Sequence, residues 1–146
     1  MLWYDGKAEE AADFYVSLFK NSKITDVSRM GDGVPAFMVS FHLDGQDFMA
    51  LNGGPMYKFT EVNSLFVNCE TQSEVDRLWD KLSEGGEKQM CGWLKDRYGL
   101  SWQIIPSVLG ELMGDPDRVK AGRVIEAMLK MQKLDIKALR QAYDQK

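Results

Sequence analysis

Cys-Gly-Trp-Leu-Lys-Asp-Arg-Tyr-Gly-Leu-Ser-Trp-Gln-Ile-Ile-Pro, residues 91–106, holds two short runs of strand-forming residues on either side of Arg97-Tyr98-Gly99. Glycine accepts positive φ at no steric cost, so a Gly-containing connector between such runs signals a β-hairpin. In the second arm Ser101 and Gln103 alternate with Trp102 and Ile104, the period of a strand whose two faces meet different surroundings. One face covers a core, and Gln103 belongs to the other. Placing Gly99 on Gly45 puts Trp102 on Phe48 and Gln103 on Met49, so the hairpin is written twice.

The earlier copy has its own signal. Phe37 to Leu43 and Gln46 to Leu51 flank Asp44-Gly45, a dipeptide suited to the two positive-φ positions of a type I′ turn. Upstream, Ala11, Phe14, Tyr15 and Leu18 recur at the spacing of one helical face. Val75, Leu78, Trp79 and Leu82 repeat that face at an offset of 64 positions, Ala11 matching Val75. Short strands are expected at Leu2 to Tyr4, Ile24 to Arg29 and Ser64 to Cys69, with Asn52-Gly53-Gly54-Pro55 as a breaker between the copies. The order is βαβββ twice, an α+β fold. The second copy is shorter between helix and hairpin, so its second strand, within Glu87 to Met90, is weak.

After Pro106 only helices are expected. Val108 to Met113 can form a short one, and Asp115 is read as the N-cap of the next, with Pro116 at its first helical position. Ile125, Met128 and Leu129 give that helix its apolar face, and Asp135 caps a last helix carrying Ile136, Leu139 and Tyr143. The reading is one domain over 1–146: module one at 1–55, module two at 62–106, and helices over 107–146.

Composition narrows the class. The 146 residues are 45% apolar with a formal net charge of -4, enough chain for a self-sufficient core. No basic stripe is present to neutralise phosphates, so nucleic acid is not an expected partner. Cys69 and Cys91 match neither a zinc motif nor a disulfide framework. With no membrane-length apolar run and no signal-peptide pattern at the N-terminus, the expectation is a soluble, cytoplasmic protein.

Asp5 to Tyr15 (Asp-Gly-Lys-Ala-Glu-Glu-Ala-Ala-Asp-Phe-Tyr), Ala50 to Pro55 (Ala-Leu-Asn-Gly-Gly-Pro), Val67 to Thr71 (Val-Asn-Cys-Glu-Thr) and the stretch from Cys91 to Pro106 resemble the PhnB-like branch of the glyoxalase/bleomycin-resistance superfamily. That branch is often labelled 3-demethylubiquinone 3-methyltransferase. The resemblance implies the vicinal oxygen chelate fold: two βαβββ modules forming a curved mixed sheet, a half-barrel with a pocket inside. Enzymes of the superfamily hold a divalent metal there with His and Glu. At the corresponding positions this chain has Ser64, Gln103 and Met49, none an ionised ligand, so no metal is expected. Nor does a glycine-rich turn open a helix as a nucleotide-like cofactor requires, so none is expected either.

The lining expected for the pocket is mixed. Trp3, Met49, Leu51, Phe66 and Trp93 are its apolar candidates, and Ser64, Asn68, Ser101 and Gln103 could supply hydrogen bonds, the composition of a small-molecule site. His42, the lone histidine, is read as a strand-edge residue without a chemical role, and Cys69 as core. Cys91 has Lys88 and Lys95 nearby in sequence, but is read first as a small residue at a strand edge. Asp96 and Arg97 flank the final turn and could pair there, a structural role.

The function so read is binding of a small, partly apolar molecule by a homodimer. The competing class is an enzyme, either a metal-dependent lyase or dioxygenase-type relative or the methyltransferase of the family label. A third reading is a drug-sequestering dimer whose subunits share each pocket. Whether a reaction is catalysed is not decided by these residues.

Overall fold

The computed structural model describes residues 1–145, which form two compact units, Met1–Phe59 and Thr60 onward. The first contains β1 (Leu2–Tyr4), α1 (Ala8–Leu18), β2 (Lys23–Arg29), β3 (Ala36–Leu43) and β4 (Gln46–Asn52). The second contains β5 (Ser64–Cys69), α2 (Gln72–Ser83), β6 (Glu87–Lys88), β7 (Trp93–Lys95) and β8 (Ser101–Pro106), then α3 (Ser107–Met113), α4 (Arg118–Met128) and α5 (Ile136–Asp144). Each unit has a four-stranded mixed sheet, ordered β1-β4-β3-β2 in one and β5-β8-β7-β6 in the other. In each, the first strand runs parallel to the last and the other pairings are antiparallel. The duplicated βαβββ order is thus the observed one, and the curved sheet expected from the resemblance takes the form of two four-stranded sheets.

In the first unit α1 buries Ala8, Ala11, Ala12 and Tyr15. Its small residues let the helix lie close to the sheet, whose Val39, Phe41 and Ala50 are also buried. Asp44 and Gly45 adopt φ of 41° and 93°, the two left-handed positions the turn needs. Lys7, preceding α1, offers no side-chain cap. The cap comes from 44 residues away: Asn52 Oδ1 accepts from Ala8 N at 2.9 Å, and Asn52 Nδ2 donates to the Ala36 carbonyl at 2.8 Å. Asn52→Ala leaves both backbone groups without these partners, so a loss of about 2 kcal/mol is expected in urea unfolding. An unchanged midpoint would show that water replaces the amide.

In the second unit α2 caps itself, Thr71 Oγ1 accepting from Glu74 N at 3.2 Å, and buries Val75, Leu78, Trp79 and Leu82. β6 has only two residues, matching the weak strand expected there. The helices after β8 enclose a core of Ile105, Leu109, Leu112, Val124, Leu134 and Leu139. They are tied back to the module by backbone bonds from Cys91 N to Met131 O (2.7 Å) and from Gly92 N to Gln132 O (2.8 Å). Gln72 adds a clamp, donating to the Leu134 carbonyl and accepting from Ile136 N.

Two expectations about this region are corrected. The N-cap of α4 is Asp117, whose carboxylate accepts from Val119 N and Lys120 N. Asp115 is engaged elsewhere, taking the Asp117 N–H at 2.7 Å and the Tyr143 hydroxyl at 2.6 Å, so the helix starts two residues later. The inward face of α4 is Ala121 and Val124, with Met128 packed against the C-terminal core as expected and Ile125 and Leu129 exposed. Small residues face inward here because α5 packs close: Arg123 donates to the Ala142 and Tyr143 carbonyls at the end of that helix.

Candidate functional site

Alternation along a strand places every second side chain on one face, and register partners share it. In the second unit, Leu94, Trp102 and Ile104 are buried on the face packed by α2. The opposite face carries three rows. Ser64, Ser101 and Lys95 form the first, Phe66, Gln103 and Trp93 the second, and Asn68 with Ile105 the third.

Gln103 stands between two aromatic neighbours and donates from Nε2 to Ser64 Oγ at 2.8 Å. The two residues that the resemblance set against metal-ligand positions are bonded to each other as amide and hydroxyl. Phe66 is 56% exposed and Trp93 half-buried. Ser101 is fully buried, and its Oγ is without a hydrogen-bond partner. Asn68 is exposed, whereas Ile105 is drawn into the core of the C-terminal helices.

Lys95 went unassigned in the sequence reading. Its alternation with Trp93 around buried Leu94 is the signal that puts it on this face. Its ammonium pairs with the Glu61 carboxylate, which no periodicity could reveal because Glu61 lies in an irregular segment before β5. The hydrogen bond from Lys95 holds the Glu61 carboxyl below its ordinary range, and the same bond raises Lys95.

The turn beneath these rows is held from inside. Asp96 is only 2% exposed. Its carboxylate accepts from Tyr98 N (2.9 Å), Leu100 N (3.1 Å) and Trp102 Nε1 (2.8 Å), while Arg97 reaches toward Glu84 at 3.8 Å. Three donors converge on Asp96 because the turn folds two amides and the Trp102 indole over it.

In the first unit, Trp3, Leu51 and Met38 share the face turned away from α1, followed by Ser40 with Met49 and then His42 with Asp47. Met49 is exposed, while Trp3 and Leu51 are half-buried. Trp3 is fixed by its indole N–H, which donates to the Gly54 carbonyl at 2.8 Å, and by an edge contact with Tyr57. A Cβ on Gly53 would overlap the Trp3 ring, so the glycine pair accommodates an indole of the same unit. His42 Nδ1 lies 2.9 Å from Asp47 Oδ1 on this face.

The donor chemistry does not fit a metal centre. Ser64 and Gln103 are neutral and mutually bonded, Met49 is a thioether, and among the described residues no three His, Cys, Asp or Glu side chains gather. Nor does Gly53-Gly54 suit a methyl-donor cofactor, since the indole takes the space and no helix begins there. Cys69 is buried, and burial pushes its thiol up to about 12, which keeps it protonated and non-nucleophilic. Cys91 occupies a left-handed bend (φ 61°) rather than a strand edge. A groove of about 470 Å3 between α4 and α5, lined by Arg123, Glu126, Lys130 and Gln141 among others, contains none of the expected site residues. Among the described residues no helix is long and apolar enough to cross a membrane.

Comparison with known proteins adds the following. The family profile described as 3-demethylubiquinone-9 3-methyltransferase matches residues 1–105. A PhnB protein from Bacillus cereus is 37% identical, with a TM-score of 0.68, over 73% of this chain and 95% of its own. Protein PA1353 from Pseudomonas aeruginosa is 22% identical with a TM-score of 0.62, over 72% and 92%, a likeness of fold. No curated protein matches the chain.

Proposed function

The chain belongs to the PhnB-like family described as 3-demethylubiquinone-9 3-methyltransferase, and from that premise we propose that it binds a small, partly apolar molecule on the sheet face carrying Phe66, Gln103 and Trp93, without the superfamily's metal chemistry. The observation that carries this reading is the Gln103–Ser64 bond between two aromatic side chains. An amide and a hydroxyl can orient a ligand by hydrogen bonds, but neither is a base at neutral pH. Phe66 and Trp93 supply apolar surface beside them, the usual make-up of a small-molecule site. Trp3, Met49 and Leu51 offer a similar apolar surface within the first unit.

The test uses an uncharged dye, N-phenylnaphthylamine, whose fluorescence rises on entering an apolar site. Trp93→Ala is expected to weaken its binding about tenfold, the scale of losing one aromatic contact surface. Dye affinity indifferent to both Trp93→Ala and Phe66→Ala would remove this face from consideration. Native mass spectrometry of the purified protein gives an independent readout, a retained small molecule being expected.

A further inference from the structure

The two modules treat one position differently. In the first, His42 on β3 lies in register with Asp47 on β4, and the imidazole meets that carboxylate directly. The equivalent pair in the second is Lys95 on β7 and Ser101 on β8. Here the last strand supplies a hydroxyl where its counterpart supplies a carboxylate. Two consequences are visible. Ser101 Oγ is buried with no partner, a state that costs free energy unless something bonds to it. Lys95 takes its counter-charge from Glu61 instead, whose side chain is 52% exposed.

We infer that this row is the head-group end of the binding face, taking a single carboxylate or sulfonate that displaces Glu61 from Lys95 and bonds to Ser101, with the apolar body of the molecule lying on Phe66 and Trp93. This rests on the binding reading above and specifies its ligand as an aromatic or aliphatic monoanion. An exposed ion pair is worth little, so its exchange for a ligand's anion is an inexpensive opening step. Ser101 lies in register between Ser64 and Lys95, so an anion drawn to the ammonium is brought to the hydroxyl. Glu87, in register with Lys95 on β6, faces the same ammonium and favours a ligand of single rather than double negative charge.

The test pairs anilinonaphthalene sulfonate, an apolar monoanion, with the uncharged N-phenylnaphthylamine on the full chain. Glu61→Gln removes the internal competitor and is expected to tighten the sulfonate about threefold, the scale of an exposed ion pair. Lys95→Met is expected to weaken it about tenfold, the scale of a lost hydrogen bond to a charged group. Ser101→Ala should weaken the sulfonate while leaving the fold as stable or more so, since the unpartnered hydroxyl is gone. The uncharged dye should change less than about twofold in all three, because none of them removes apolar surface. Equal responses of the two dyes to Lys95→Met and Glu61→Gln, with both still lost in Trp93→Ala, would overturn the head-group assignment and leave the binding face standing. Indifference of both dyes to Trp93→Ala and to Phe66→Ala would overturn both.

Discussion

Asp96→Ala is expected to lower the stability of the chain by about 4 kcal/mol, because it strips the acceptor from three converging donors, two of them main-chain amides, at a site closed to water. Asp96 is 2% exposed, and its carboxylate accepts from Tyr98 N, Leu100 N and Trp102 Nε1. Urea unfolding followed by tryptophan fluorescence measures the loss. Asp96→Asn keeps one acceptor oxygen and should lose about half as much, while Trp102→Phe orphans only one oxygen of the carboxylate. If Asp96→Ala cost less than about 1 kcal/mol, the network would be decoration on a turn held by its glycine. The site depends on the outcome, since this turn sets the register of β7 against β8 and hence brings Lys95 beside Ser101 and Trp93 beside Gln103.

A comparable loss is expected at Gly86, for a different reason. A Cβ added there would overlap the Lys95 carbonyl oxygen and lie 2.8 Å from the Asp96 carbonyl carbon, both main chain in the same hairpin. Backbone cannot step aside as the tip of a side chain can, so Gly86→Ala should displace β7 or unfold the module, at a cost of about 3 kcal/mol or more. The adjacent Gly85 is the control. Its φ of 74° strains any other residue, yet a Cβ there meets only Arg97 Cβ at 3.5 Å, so Gly85→Ala should cost about 1 kcal/mol. Similar melting temperatures for the two variants would show that the hairpin can move away from the connector.

Much of the candidate site was legible in the sequence through alternation. Aligning Gly99 with Gly45 placed Gln103 opposite in facing to Trp102, and in the fold Trp102 is buried on the α2 side while Gln103 lies on the other. The family resemblance, not alternation, set Ser64 and Gln103 at counterparts of ligand positions, and in the fold their side chains are 2.8 Å apart. The three donors on Asp96 were not legible, because only the return of the Trp102 indole encloses the carboxylate. The α4 face was legible at Met128 but not at Ala121 and Val124, whose small volume reflects how close α5 lies rather than a weak hydrophobic signal. Leu134, fully buried between α4 and α5, has no periodic neighbours to announce it.

The sequence by itself determined the duplicated βαβββ order, the helix faces and the turns, because each rests on spacings of two or 3.6 residues and on glycines within a few positions of one another. Tertiary structure alone decided the connections between distant residues. Asn52 caps a helix that begins 44 positions earlier, and Glu61 rather than Ser101 satisfies Lys95. Contacts of that kind arise when strands pair and bring side chains from separate elements onto one face, where charge and hydrogen-bonding capacity choose the partner, and no local period records the choice.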